Sequence, residues 1–172
     1  MVFTPETTTA TSASASAMAV EQPAVARTMV GTDGADVLVG TDGRDEIIGG
    51  NGFDRLDGGA GTDLLRGGVG KDVFVFGTVS DSKAGFGDAI ADFVRNHDRI
   101  DLSEIDAVSG GSDDAFTWIG SKAFGGHAGE LRFSSTGAGL KIQGDVDGDG
   151  DADLAIALTS GYHTFYQQDL IL

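Results

Sequence analysis

The chain has 172 residues, enough for one compact domain, and 28 of them are glycine while only 2 are proline. So much glycine indicates a fold rich in turns, because glycine adopts backbone angles that other residues avoid. The formal charge of −16 argues against nucleic acid or an anionic membrane surface as a partner. The absence of cysteine excludes disulfides and thiolate metal sites, and no apolar run is long enough to span a membrane.

The first 30 residues are predicted to be a separate segment. Residues 4–17 are mostly Thr, Ser and Ala, with too little apolar surface to form a core, so we expect them to be disordered. Residues 28–30 are predicted to form a first strand. The N-terminus lacks the basic start and apolar run of a cleavable signal peptide.

A nine-residue repeat follows over residues 31–84. Five units begin at residues 31, 40, 49, 58 and 67, and each has glycine at positions one and four and aspartate at position six. Position eight is always a large apolar residue, namely Leu38, Ile47, Leu56, Leu65 or Phe74. A degenerate sixth unit, FGTVSDSKA, places Asp81 nine residues after Asp72.

This repeat predicts a parallel β-roll, the structure that glycine-rich nonapeptides form when they bind calcium in RTX proteins. Positions one to six form a turn, and positions seven to nine form a short strand with position eight in the core. Each unit stacks on the unit after next, about 4.8 Å away. The aspartates then form two columns, Asp36–Asp54–Asp72 and Asp45–Asp63–Asp81.

Stacked carboxylates repel each other by about 1 kcal/mol in water, and a hard cation that takes oxygen ligands reverses that repulsion. We therefore expect four calcium sites, between Asp36 and Asp54, Asp54 and Asp72, Asp45 and Asp63, and Asp63 and Asp81. The repeat glycines are expected to supply backbone oxygens: Gly31, Gly40, Gly49, Gly50, Gly52, Gly58, Gly59, Gly61, Gly67, Gly68 and Gly70. One core residue per unit offsets little chain entropy, so metal binding should drive folding. The alternative is a flexible linker or a metal-free solenoid.

After residue 85 the period ends, and short apolar stretches alternate with Gly, Ser and Asp clusters, as in an antiparallel all-β segment. Strands are predicted at residues 89–94, 99–102, 115–119, 130–134, 140–144, 154–158 and 169–172, with one helical turn at 103–107.

The sequence GDVDGDGDADLAI contains the D-x-D-x-D-G start of an EF-hand loop but has Ile156 in place of the terminal glutamate. We predict a hairpin loop that holds one calcium ion through Asp145, Asp147, Asp149 and Asp153; the alternative is a solvated acidic turn.

From residue 49 onward the chain resembles the C-terminal domain of serralysin-type (peptidase M10) metalloproteases. The resemblance rests on GGAGTDLLRGGVGKDVFVFGTVSDS, GDAIADF, DRIDLSEIDA, AFTWIG, AGELRF, QGDVDGDGDADLAI and DLIL. It implies an all-β fold in which the β-roll of residues 31–84 packs on an antiparallel, β-sandwich-like cap at 85–172. It also implies several bound calcium ions, with Asp81, Asp88 and Asp98 as further ligands.

The resemblance further implies export to the extracellular space by a type I secretion transporter, through an uncleaved C-terminal signal at residues 169–172. The alternative for these residues is a last core strand. The family's proteases carry a zinc helix, H-E-x-x-H, which this sequence lacks: its histidines are His97, His127 and His163.

We therefore predict a non-catalytic, secreted calcium-binding protein. The alternative is a secretion or folding carrier module for a separate exported enzyme, and an enzyme that uses its acidic residues as general acid and base is a third hypothesis.

Overall fold

A computed structural model describes residues 7–9, 26–108, 113–137, 139–161 and 163–172. The strands are β1 (Thr7–Thr9), β2 (Arg27–Val30), β3 (Val37–Val39), β4 (Asp45–Gly52), β5 (Arg55–Asp57), β6 (Leu64–Gly70), β7 (Val73–Val75), β8 (Ala89–Ile90), β9 (Arg99–Asp101), β10 (Thr117–Gly120), β11 (Glu130–Thr136), β12 (Gly139–Asp145), β13 (Leu154–Leu158) and β14 (Leu170–Ile171). Two 3-10 helices span Val79–Ser82 and Gln167–Asp169. Within the described ranges, no helix has the length and apolar character needed to cross a membrane.

The strands form two sheets. Sheet A has the order β1-β2-β4-β6-β8-β13-β12-β11-β10, and sheet B has the order β14-β9-β7-β5-β3. From β2 to β9 successive strands alternate between the sheets, and neighbours within each sheet are parallel. The chain therefore coils as a parallel β-roll, which confirms the predicted fold class.

The register of the roll follows the repeat. Leu38 pairs with Leu56, which pairs with Phe74, while Ile47 pairs with Leu65 on the opposite sheet, so each coil takes 18 residues. All five side chains at position eight are buried, at most 3% exposed. The prediction that each nine-residue unit contributes one core side chain is confirmed.

The C-terminal strands continue the two sheets of the roll. Strand β12 is antiparallel to both β11 and β13, and β13 pairs in parallel with β8 of the roll. Strand β10 pairs with β11 in parallel, so the predicted antiparallel cap is wrong at this pair. Strand β14 pairs with β9 at the end of sheet B. One hydrophobic core therefore runs through the roll and the cap, and includes Phe74, Phe93, Phe165, Leu131 and Ile156.

The structure differs from the sequence prediction at several element boundaries. The strand predicted at 89–94 ends at Ile90, after which Asp92 accepts the N–H groups of Gly67 and Gly68. The predicted helical turn at 103–107 is wrong, since that segment forms turns without a helix. Within the tract expected to be disordered, Thr7–Thr9 form strand β1 along β2; the rest of residues 1–25 lies outside the described residues.

Candidate metal sites in the roll and the acidic loop

The repeat aspartates lie in two columns, and backbone amides hold their carboxylates in place. The N–H of Asp36 donates to Oδ1 of Asp54 at 2.9 Å, and the N–H of Asp54 donates to Oδ1 of Asp72 at 3.0 Å. On the other side of the coil, the N–H of Asp45 donates to Oδ1 of Asp63 at 2.7 Å. All of these side chains are buried. The carboxylates of Asp54, Asp63 and Asp72 are therefore each fixed to the preceding coil through one oxygen.

The columns end on residues that follow the repeat. The N–H of Asp63 donates to Oδ1 of Asp88 at 2.7 Å, 25 residues further on, and the N–H of Asp72 donates to Oδ1 of Asp98 at 3.1 Å, 26 residues further on. Residues Asp88 and Asp98, which the family resemblance implied, thus close the two columns. Both are buried.

The predicted stacking of Asp81 on Asp63 is wrong. Asp81 lies in the 3-10 helix Val79–Ser82, and its Oδ2 accepts the N–H groups of Gly77 and Thr78, both at 2.8 Å. The sixth unit has Phe76 and Val79 where the repeat has glycine, so it cannot form the repeat turn. The chain instead forms a longer connection, after which Asp88 joins the column.

The second carboxylate oxygen divides the column aspartates into two groups. Oδ2 of Asp36 and of Asp45 accepts hydrogen bonds within its own turn, and Oδ2 of Asp98 accepts the N–H of Val94. The corresponding buried oxygens without any hydrogen-bond partner are Oδ2 of Asp54, Asp63, Asp72 and Asp88. Because buried polar atoms in folded proteins nearly always have a partner, these four oxygens mark positions where a cation fits.

Backbone carbonyl oxygens lie beside the unpartnered carboxylate oxygens. A Cβ atom built on Gly49 would overlap Oδ2 of Asp54 and would lie 2.6 Å from the carbonyl oxygen of Gly67. The first glycine of a turn thus leaves room where a carboxylate oxygen of its own turn meets a carbonyl oxygen of the stacked turn. Carboxylate and carbonyl oxygens together are the donor set of calcium sites.

The electrostatics of the columns agree with this geometry. Burial raises the pKa of Asp63 to about 7 and that of Asp88 to about 8; further contributions come from neighbouring carboxylates, including Asp57 and Asp81. Burial also raises the pKa values of Asp54, Asp72 and Asp98. In the metal-free chain the negative charges in the columns are therefore unfavourable, and a bound cation would favour the ionised forms.

Sequence reasoning missed Asp57, which occupies position nine of the third unit, where two of the other four units have valine. Its pKa is raised by burial, and also by Asp81 and Glu104, while the N–H of Gly59 donates to its Oδ1 at 2.9 Å. The acidic residue at position nine, where the other units have Val39, Ile48, Arg66 and Val75, was a signal that the repeat pattern did not use.

The acidic loop between β12 and β13 brings three of its four predicted ligands together. One carboxylate oxygen each from Asp145, Asp147 and Asp149 lies within 4.8 Å of the others. Asp145 is fully buried, and its oxygens accept the N–H groups of Gly148 at 2.7 Å and Gly150 at 3.0 Å. Asp153 is not part of this group; its Oδ2 accepts the N–H of Val146.

The comparison with protein families identifies the chain. Residues 15–172 match the family described as peptidase M10 serralysin C terminal. The chain belongs to this family. A curated relative, the metallopeptidase AprA of Pseudomonas marginalis, is 47% identical over 57 residues, which are 33% of this chain and 10% of the relative. The chain therefore spans a small part of that relative's length.

Solved structures of other proteins have a similar fold. The AlgE6R3 subunit of the Azotobacter vinelandii mannuronan C5-epimerase has a TM-score of 0.58 and 25% identity, over 94% of this chain and 86% of that one. The AlgE6R2 subunit of the same enzyme has a TM-score of 0.52 and 28% identity, over 86% of this chain and 91% of that one.

Proposed function

We propose that this serralysin C-terminal domain is a secreted, non-catalytic calcium-binding protein that folds on binding Ca²⁺ outside the cell. The observation that carries the proposal is the set of buried carboxylate oxygens in the two columns that have no hydrogen-bond partner, Oδ2 of Asp54, Asp63, Asp72 and Asp88. Leaving such groups unpaired destabilises a fold, and a cation coordinated by them reverses the effect.

Calcium fits these positions better than other cations. The donor atoms are carboxylate and carbonyl oxygens, which exclude the sulfur- and nitrogen-rich sites of zinc. Magnesium demands a tight octahedron and keeps much of its water, whereas calcium accepts irregular sets of about 6–8 oxygens. The acidic loop supplies a further candidate site at Asp145, Asp147 and Asp149.

A calcium requirement for folding would link the folded state to the compartment. Extracellular calcium modules bind at roughly 10⁻⁴–10⁻³ M, so the chain would stay unfolded in calcium-poor cytosol and fold after export. In the folded chain Asp169 is buried, and Leu170 pairs with Ile100. A type I transporter that reads residues 169–172 would therefore meet them in the unfolded chain.

Calorimetric titration with Ca²⁺, combined with far-ultraviolet circular dichroism, tests the proposal. We expect calcium to produce heat and a β-sheet spectrum, and a chelator to remove that spectrum, whereas equimolar Mg²⁺ should do neither. The D54N/D72N variant should bind fewer ions, and the exposed cap variant D113N should match the unmodified chain. An identical β-sheet spectrum with calcium and with chelator would contradict the proposal.

Export is tested separately by deleting residues 169–172 and assaying the medium. We expect the extracellular protein to disappear. Unchanged secretion would rule out a C-terminal signal, and the calcium-dependent folding of the purified deletion variant shows whether folding and export can be separated.

A second candidate function is a carrier module for an exported enzyme. It is favoured by the comparisons, since the AprA match covers 10% of a metallopeptidase and the similar structures are subunits of an epimerase. Refolding a serralysin-type catalytic domain with and without this chain tests it: a higher yield of active enzyme supports a carrier, and an unchanged yield favours the free-standing protein. A hydrolase screen of the chain alone in calcium buffer is expected to show no activity.

A further inference from the structure

The residue at position two divides the turns of the roll into two classes. The units that begin at residues 31 and 40 have threonine there, Thr32 and Thr41, and the units that begin at 49, 58 and 67 have glycine. This division coincides with the division of the carboxylate oxygens, because Asp36 and Asp45 belong to the threonine units. The three glycine units contain aspartates with an unpartnered Oδ2.

In the threonine turns, the threonine makes two hydrogen bonds to one carboxylate oxygen. The N–H and Oγ1 of Thr32 donate to Oδ2 of Asp36 at 2.6 and 2.9 Å. The N–H and Oγ1 of Thr41 donate to Oδ2 of Asp45 at 2.7 and 2.8 Å. An ionised carboxylate oxygen has about two lone-pair positions. In both turns these positions are filled by the chain itself.

In the glycine turns, the backbone at position two takes a conformation that threonine avoids. Gly50, Gly59 and Gly68 have φ values of +111°, +74° and +92°, a region that is unfavourable for a β-branched residue. There is also no room for a side chain. A Cβ at Gly50 or Gly59 would lie 2.5 Å from the carbonyl oxygen of Thr32 or Thr41 respectively, on the stacked turn. The residue type at position two therefore selects the conformation of the turn.

We infer that Thr32 and Thr41 make their two turns independent of metal. Oδ2 of Asp36 and Asp45 then takes no calcium, and metal binds in the glycine turns, beginning with the gap between Asp54 and Asp72 and the gap between Asp63 and Asp88. The threonine turns form the metal-free end of the roll. This inference rests on the proposed calcium function, and it removes the two sites that the repeat pattern predicts between Asp36 and Asp54 and between Asp45 and Asp63.

Counting bound ions tests the inference. The full chain is dialysed against a saturating calcium concentration, and bound metal is measured by mass spectrometry in the unmodified protein, in D36N/D45N and in D54N/D63N. Asparagine keeps an acceptor oxygen for the threonine donors. We expect D36N/D45N to bind as many ions as the unmodified protein and D54N/D63N to bind two fewer. A folded D36N/D45N variant that loses ions would overturn the inference.

The converse variant does not depend on losing a carboxylate. T32G/T41G should release Oδ2 of Asp36 and Asp45 and raise the number of bound ions by up to two, whereas the control T32S/T41S, which keeps both donors, should leave it unchanged. An unchanged count in T32G/T41G would contradict the inference even if D36N/D45N failed to fold. Absence of any bound calcium in the unmodified protein would defeat the proposed function itself, which separates the two failures.

Discussion

The roll and the cap share the same two sheets but fill the space between them differently. In the roll, each nine-residue unit places one apolar side chain in the core, and the neighbouring buried side chains are aspartates such as Asp54 and Asp63. In the cap, β12 and β13 alone bury Leu140, Ile142, Leu154, Ile156 and Leu158. The cap is thus stabilised mainly by the burial of apolar side chains. The roll depends on the stacking of its backbone and on neutralisation of the negative charge in its aspartate columns.

The two regions also treat buried carboxylates differently. In the acidic loop of the cap, both oxygens of Asp145 accept loop N–H groups. In the glycine turns of the roll, one oxygen of each aspartate is held by an N–H and the other has no partner. The chain itself thus supplies donors to both oxygens of Asp145, whereas in the glycine turns it supplies a donor to only one oxygen of each aspartate. Variants that change the stacking of turns, the packing of the core and the buried charge should show whether the roll or the cap loses more stability.

The largest loss of stability is expected when a side chain is added at a glycine that lies against the stacked turn. A Cβ at Gly70 would overlap the carbonyl oxygen of Gly52, so G70A should lower the free energy of unfolding by about 4 kcal/mol or more. The matched control is G137A, since Gly137 is exposed and a Cβ added there would have no neighbour within 4 Å. Urea denaturation in saturating calcium measures both variants. Equal stability of the two would show that the turns do not stack as described.

The next effect compares the roll part and the cap part of the shared hydrophobic core. Leu56 in the roll and Ile142 in the cap are both fully buried, and L56A and I142A should each cost about 2–5 kcal/mol. Because both sheets run through roll and cap, we expect a single cooperative transition. Trp118 fluorescence reports on the cap and far-ultraviolet circular dichroism on all strands. If L56A shifts the dichroism transition but leaves the fluorescence transition unchanged, the roll and the cap unfold independently.

An effect of pH on stability is expected from the aspartate columns, and its direction should depend on whether metal is bound. The raised pKa values of Asp63, about 7, and Asp88, about 8, mean that the folded state binds more protons than the unfolded state, in which aspartate has a pKa near 4. Stability of the metal-free chain is therefore greatest below about pH 4 with respect to these groups, and it is lost as pH rises through 7 and 8.

Circular dichroism of the chelated protein measures this dependence. We expect more β-sheet at pH 5 than at pH 8.5, and a smaller difference in D63N, which lacks one of the titrating groups. In saturating calcium the trend should reverse, because protons compete with metal for the same oxygens. A chelated protein with equal β-sheet content at both pH values would contradict the electrostatic description of the columns.

The repeat made most of the roll predictable from sequence. Positions four, six and eight fixed the turn, the column and the core side chain, and the 18-residue coil followed from two nine-residue units. The prediction failed where the spacing changed: Asp81 continues the count of nine, but only the folded chain shows that a 3-10 helix intervenes and that Asp88 reaches the column. The role of Thr32 was also invisible, because it depends on which oxygen of Asp36 the hydroxyl meets.

The cap was predictable at the level of strands but not of connections. The strand at 154–158 was predicted with the bounds that the structure shows, since Leu154, Ile156 and Leu158 alternate. Its parallel pairing with β8, which joins the cap to sheet A, leaves no periodic signal because it depends on contacts far apart in the chain. Three carboxylates of the acidic loop converge as its alternating aspartates suggested, and Asp153 turns to the amide of Val146 instead.

The smallest effect should come from the junction between the two regions. Ser82 is fully buried; its Oγ donates to the carbonyl oxygen of Ala155 in the cap at 2.9 Å and accepts the N–H of Asp88 at the end of the roll column at 2.8 Å. S82A leaves both groups buried without this partner and should lower the free energy of unfolding by about 1–3 kcal/mol.

The control S135A removes an exposed hydroxyl that donates to the carbonyl oxygen of His163, and it should change stability by about 0.5 kcal/mol or less. Calcium affinity distinguishes two roles of Ser82. If Ser82 only satisfies these two backbone groups, S82A lowers stability and leaves calcium affinity unchanged; weaker calcium binding in S82A shows that the cap positions Asp88 for the roll.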